Sequence, residues 1–443
     1  MRLVSLSPSA SSVSFSGLGV NPAGVLRFAL ALLVITNLGT VPTPLDLGSR
    51  HAPLFANDVL VLAVLCAGAM SMARARSLRL NDVGLAALAF AAVGALSAVS
   101  AMPRFGLTAF EVVASLAYLA RWVAYFGLYL VIVNCLRERD IHGTWQALEG
   151  TMIVFAAFGI FQAAFLPNFG QMIYPNSRLY FEIDPQGHRL MSTILEPNIA
   201  AAMILTVLLV QIAQLATGVA VPRWKPAMLL LALVLTLSRS GMLGFVCGIL
   251  VILATRGLGR KMARFLGAMF VVALASLPQL LPFARQYSKL SLSDASAAAR
   301  LVVWQRSTAT FLESPWFGIG FNTYGFVQER HGVERFGSAS YSAEGGLLFV
   351  GVMTGIVGLL IYGLMLWFAL RTCRSVWKDA LATQEERGLA VGAAAATVAI
   401  VVHSVFVNSL LTTFVMEPLW VLWGLSVLIA IAIRRRRAAA PAM

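Results

Sequence analysis

Charge is scarce in this chain. Charged residues fill only 12% of its 443 positions, 19 residues are acidic, and 59% are hydrophobic. A water-soluble protein of this length cannot hide so much apolar surface, which excludes an ordinary soluble domain and points to an all-α polytopic membrane protein. Cysteine is rare too. Cys66 and Cys247 fall inside apolar runs, and Cys135 and Cys373 fall at the ends of others. None lies in a long polar loop, so no disulfide is expected. The 5 histidines are scattered and no outward Asp-x-Asp pair occurs, so neither a metal constellation nor a cofactor is expected. A Walker A loop and a dinucleotide fingerprint are both missing. The Ser-rich start, "MRLVSLSPSASSVSFSGLG", lacks the pattern of a signal peptide and reads as a disordered cytoplasmic tail. No internal repeat is visible, which counts against many secondary transporters. The net charge of +14 has no basic domain to sit on, so nucleic acid is not an expected partner.

Long apolar runs are what the chain does have. Those able to cross a bilayer fall at roughly 24–40, 58–73, 82–101, 109–135, 150–167, 194–216, 226–237, 240–255, 264–283, 346–370, 388–408 and 412–433, about twelve helices. Every second connection is basic: Arg74, Arg76 and Arg79; Arg137 and Arg139; Arg223 and Lys225; Arg256 to Arg264; Arg371 to Lys378. The tail Arg434 to Arg437 completes the set. Cytoplasmic loops of membrane proteins collect Lys and Arg, so both termini are expected in the cytoplasm. The organisation is then a short tail over 1–23 and nine helices over 24–283 with a small outer loop at 168–193. A large outer loop at 284–345, three helices over 346–433 and a basic tail at 434–443 follow.

The outer side holds the residues able to do chemistry. "LTLSRSGMLG" breaks an apolar run with Ser238-Arg239-Ser240-Gly241, and an arginine is costly near hydrocarbon unless it serves a function. Arg189 precedes Pro197-Asn198 on the same side. Alone it reads as an interfacial anchor; with Arg239 it reads as an anion clamp, because a guanidinium fork suits phosphate. In the large loop, Asp294 to Leu312 reads as a helix packing Leu301, Trp304, Thr308 and Phe311 on one face. Its Arg300 and Arg306 face either water or an anionic group. Pro315 breaks the helix, and Gly318 and Gly320 give backbone freedom. His331 is a candidate for a catalytic or a merely solvated histidine. Glu344 sits where the chain returns to the membrane; partial desolvation suits it to act as a general base, or it pairs with an outer arginine. Arg121, His403 and Glu417 lie within apolar runs and must face the protein interior or a cavity. Whether Arg121 and Glu417 form a structural pair is left open by the sequence.

These pieces resemble the O-antigen ligase and O-antigen polymerase membrane glycosyltransferases, the Wzy-type superfamily. The likeness runs from about Arg189 to Gly358. It rests on Arg189 with Pro197-Asn198, "LTLSRSG", "RLVVWQRSTATFLESPWFGIGFNTY" and "TGIVG" with Gly355 and Gly358. The resemblance implies a GT-C-type fold in the bacterial inner membrane with a periplasm-facing site. It implies transfer of a glycan from undecaprenyl diphosphate to a glycan or lipid A–core acceptor, with inversion and without metal. A chain-length regulator or a flippase is the implied protein partner. Arg189 and Arg239 match the family's diphosphate-binding arginines. Arg300, Arg306, His331, Asn198 and Arg121 are the further substrate-binding candidates. The family's ligases carry a histidine where Glu344 stands here. That departure favours a polymerase of O-antigen or exopolysaccharide repeat units over a ligase. A lipid-linked oligosaccharide flippase is the reading from another class.

Overall fold

The computed structural model describes residues 4–6, 21–33, 40–41, 46–47, 50–51, 54–76, 78–173, 188–256, 295–333 and 345–439. It is a helical bundle. In chain order the helices are α1 (Pro22–Leu32), α2 (Ala56–Ala75), α3 (Asp82–Phe105), α4 (Ala109–Cys135), α5 (Asp140–Phe165) and the short α6 (Phe169–Ile173). Next come α7 (Pro197–Ala216), α8 (Trp224–Leu235), α9 (Arg239–Arg256), α10 (Ala295–Glu313) and α11 (Tyr324–Arg330). The last three are α12 (Gly346–Trp377), α13 (Gln384–His403) and α14 (Thr413–Ala439). Among the described residues, 8 helices are long and apolar enough to cross a membrane, and α1, α8 and α9 are shorter apolar helices. These fall on the expected spans, except that α1 covers only the first part of 24–40 and that 264–283 lies outside the described residues. A 3₁₀ turn at Ser192–Ile194 and three short antiparallel strand pairs complete the secondary structure described; one pair joins Val4–Leu6, expected in a disordered tail, to Leu78–Leu80.

Local chemistry sets the helix ends. Asn81 accepts a hydrogen bond from Gly84 N and starts α3. Thr108 and Glu111 form a capping box at α4, and Thr383 and Glu386 form another at α13. Such residues satisfy backbone N–H groups that the first turn leaves unpaired.

Burial orders the layers. The apolar window of α14 is 100% buried and that of α2 only 33%, so α14 is central and α2 lies at the margin. Leu62, Leu96, Val113 and Phe165 are exposed apolar side chains of the outer helices, as a lipid-facing surface requires. α13 packs chiefly on α7 and α9, α12 on α3, and α14 on α4. Gly388 and Gly392 bring α13 onto α7: a Cβ on Gly392 would sit 2.4 Å from Val210 Cα. Close backbone approach is how helices gain packing contact where no hydrophobic drive separates protein from lipid.

Three of the basic segments meet at one end of the bundle. Arg436 Nη2 pairs with Glu386 at 2.6 Å and also with Glu138, and Arg437 Nη2 pairs with Asp379 at 2.7 Å. The ends of α4, α12, α13 and α14 are tied together there.

At the other end α12 is broken. Gly355 has φ 66° and ψ −170°, outside helical space. The chain 315–320 runs alongside and takes up the freed groups. Ile319 N and Gly320 N donate to Val352 O and Met353 O at 2.9 and 3.1 Å, and Ile356 N donates to Pro315 O at 2.7 Å. Ser97 Oγ lies 2.5 Å from Phe317 O and 2.7 Å from Met353 O. A Cβ on Gly355 would sit 2.2 Å from Trp316 O, so only glycine fits. The large loop, expected wholly outside, therefore reaches about 14 Å along α12 from its start. α10 matches the expected helix, but its buried side chains are Val303, Ser307 and Thr310, whereas Thr308 is exposed. The observed stripe follows spacing 4 and 3 from Val303, one position away from the expected one.

Candidate functional site

Arg189 and the Arg239 turn, 50 residues apart in sequence, are stapled together. Leu190 N donates to Leu235 O at 2.9 Å, and Arg189 Nε donates to Thr236 O at 2.9 Å. From below, Gln162 Oε1 on α5 accepts from Met191 N and Ser192 N at 3.0 and 3.1 Å. Arg189 is buried, and its Nη2 lies 3.5 Å from Asn198 Oδ1. Ser238 Oγ donates to the same Asn198 oxygen at 2.9 Å. Asn198, one residue into α7, thus joins the loop to the turn.

Arg239 opens α9 and is exposed, while Ser238 and Ser240 beside it are buried. Among the described residues its guanidinium has no hydrogen-bond or ion-pair partner. A buried, braced guanidinium, an exposed one and the positive end of α9 share this corner. Together they favour an anion. The backbone here is strained. Of the six positive-φ non-glycine residues among those described, His188, Ser192, Leu195 and Leu237 all lie in these two segments, with φ from 51° to 65°. Such conformations persist only where the surroundings enforce them.

Two residues of the corner had no role in the sequence reading. Glu196 caps α7, accepting from Ile199 N and, at 2.9 Å, from Asn198 Nδ2. Burial pushes its carboxyl above the ordinary range, opposed by those hydrogen bonds and by the charge of Arg189. The pattern Glu-Pro-Asn at a helix start was its only signal. His403, at the last turn of α13, was placed by sequence only as inward-facing. It is fully buried, its Nδ1 is 2.5 Å from Ser409 Oγ, and its ring lies against the Asn198 backbone. Its Nε2 makes no hydrogen bond among the described residues.

The end of α13 carries the site across to α12. Gly346 N donates to Ser404 O at 2.5 Å, and the Trp304 ring of α10 lies 6.1 Å from that of Phe406. Glu344 lies outside the described residues, but its neighbour Gly345 is placed at this corner, beside Val405 O. The arginine corner and the return of the chain into α12 are thus adjacent through His403-Ser404.

Other candidates sit elsewhere. Arg306 is exposed on α10, and the Arg300 side chain lies outside the described residues. His331 Nε2 is 3.7 Å from Glu313 on the exposed surface, and Arg330 ties α11 to Glu111 at 2.6 Å. Arg121 pairs with Asp58 at 3.1 Å, which answers the question of a Glu417 partner that the sequence left open. Glu417 is reached only through a relay: Tyr125 Oη donates to Asp58 at 3.0 Å, and Asn57 Nδ2 lies 3.1 Å from Tyr125 Oη and 2.6 Å from Glu417. Asp58 lies at the start of α2, and the bundle alone brings it to Arg121.

Apolar spans around a buried polar corner define an α-helical integral membrane protein. Residues 227–363 match the family model described as O-antigen ligase, which supports the resemblance read from the sequence. The matched stretch holds Ser238, Arg239, the α10–α11 segment and the α12 break; Arg189 and Asn198 precede it. No curated protein matches the chain. A chain of the solved structure titled "Structural coordination of polymerization and crosslinking by a peptidoglycan synthase complex" aligns at 18% identity with a TM-score of 0.41, over 81% of this chain and 98% of that one.

Proposed function

We propose that this protein polymerises oligosaccharide repeat units carried on undecaprenyl diphosphate, at the periplasmic face of the bacterial inner membrane. The observation that carries the reading is the Arg189–Asn198–Ser238 junction at the Arg239 turn, adjacent to the return of the chain at Gly345-Gly346.

In this reading Arg239 meets the donor diphosphate and Arg189 adds charge from below, held in place by Thr236 O and Asn198. The bond from the anomeric carbon to the diphosphate oxygen breaks, and its electron pair leaves with the diphosphate. Fixed guanidinium groups stabilise that growing negative charge most where it is greatest, in the transition state. An acceptor sugar hydroxyl attacks the same carbon from the opposite face, so the configuration inverts. Glu344 takes the hydroxyl proton. The energy comes from the activated donor. Arg300, Arg306 and His331, on the α10–α11 cover, meet the glycan beyond the reacting sugar.

The description of the matched family favours a second reading of the same chemistry, a ligase that moves finished glycan to lipid A–core. Reconstitution with the host's undecaprenyl-diphosphate-linked repeat units separates them. A ladder of lengths is expected. A single product formed only when lipid A–core is added would establish the ligase, and no glycan transfer in either case would return the protein to the transporter class.

A further inference from the structure

A cavity of about 230 Å³ lies between α4, the first turns of α12, residues 321–322 and residues 411–414. Phe349 lines it, one turn after Gly345, whose carbonyl accepts from Phe349 N at 2.8 Å. The cavity therefore opens within a turn or two of the position next to Glu344.

Its lining has two characters. Tyr118, Trp122, Phe321 and Phe349 give aromatic surface, and Asn322, Thr412 and Thr413 give hydrogen-bonding groups. A lipid tail needs none of the polar groups. An anion is disfavoured too, because the one guanidinium, Arg121, already meets Asp58 at 3.1 Å, and Glu417 adds a second carboxylate to the same network. What fits is a neutral molecule with an apolar face and a rim of hydroxyls. A sugar ring is that: its C–H face packs on the electron-rich face of an aromatic ring, and its hydroxyls take the donors and acceptors around it.

Trp122, in the lining, is 4% exposed and packed against Phe90, Phe126 and Trp420, so the aromatic wall is rigid before any ligand arrives. Asn322 holds φ 54°, a left-handed position that asparagine adopts readily.

We infer that this cavity seats a neutral sugar ring of the acceptor glycan, so that its hydroxyl reaches the Gly345 corner while the donor diphosphate lies on the arginine side. The inference rests on the glycosyltransferase reading and adds the acceptor subsite to it.

The test uses the full-length protein in lipid nanodiscs with two measurements. The first is the transfer rate against acceptor concentration, at saturating lipid-linked donor. The second is retention of radiolabelled donor on a filter. Tyr118→Ala is expected to raise the half-saturating acceptor concentration about tenfold, the worth of one aromatic contact, with donor retention as in the wild type. Tyr118→Phe, which keeps the ring, recovers most of that loss. An unchanged acceptor dependence in Tyr118→Ala overturns the inference, and so does a loss of donor retention. A wild-type protein that transfers nothing overturns the glycosyltransferase reading instead. The cavity is then judged by tryptophan fluorescence during titration with neutral oligosaccharides made by hydrolysis of the host's surface polysaccharide. A saturable change that Thr413→Phe removes upholds a sugar site; no saturable change overturns it.

Discussion

At the scale of single residues, the two arginines differ in what their loss does. Arg239 is exposed and holds no other described part of the protein. Arg239→Ala should abolish polymer while leaving the amount of protein in the membrane intact, a fall of about 10² to 10³ in rate for a lost charge-stabilising donor. Normal polymer from this variant removes the clamp. Arg189 instead braces Thr236 O and Asn198, so Arg189→Ala should also lower the thermal midpoint, with about 1–3 kcal/mol lost for the carbonyl left unpaired. The sequence placed both arginines on one side of the membrane; it held no sign that one is buried and structural. Glu196 carries a pH signature. Burial raises its folded-state value above the unfolded one, so the folded protein holds the proton more tightly, and stability falls as pH rises through that window. Glu196→Gln should flatten the thermal midpoint between mildly acidic and neutral pH; an equally steep profile in the variant assigns the effect elsewhere. For the base, Glu344→Gln should harm turnover more than His331→Ala, whose side chain lies near Glu313 on the exposed surface. The reverse order would move the base to His331.

At the scale of elements, the break in α12 explains "TGIVG" as backbone geometry. Gly355→Ala forces a Cβ into the Trp316 carbonyl at a φ of 66°, and fluorescence-detected size-exclusion should find little folded protein. Gly363, in the same helix with open space around it, is the control: Gly363→Ala should gain about 0.5–1 kcal/mol through helix propensity. Equal loss from both would mean that the splice does not hold the loop. Most helices were legible because a bilayer demands length and apolarity, and both are written locally. The break was not. Glycine in an apolar run says only that a side chain is missing, and the segment 315–320 that fills the gap comes from 35 to 40 residues earlier. The sequence leaves the partner of Arg121 open for the same reason, since Asp58 and Glu417 lie on distant segments and only the packing of α2, α4 and α14 decides between them.

At the scale of the whole molecule, the orientation is open to a direct check. A single cysteine at Leu312, exposed on the α10 side, should react with an impermeant reagent in spheroplasts. One at Leu381, exposed between α12 and α13, should react only after lysis. Labelling of Leu381→Cys from outside would invert the bundle and the mechanism with it. The ion pairs of Arg436 and Arg437 gather three of the expected cytoplasmic segments at one end. They gave no sign in the sequence beyond a count of basic residues. The splice at Gly355 bears on how the product of the proposed polymerase would leave. Lifting 315–320 away would strand several peptide groups in hydrocarbon, at several kcal/mol each. In the proposed polymerase the segment 315–320 is thus sewn to the wall at Gly355, and a lengthening chain would slip past a fixed rim there, like thread through an eyelet.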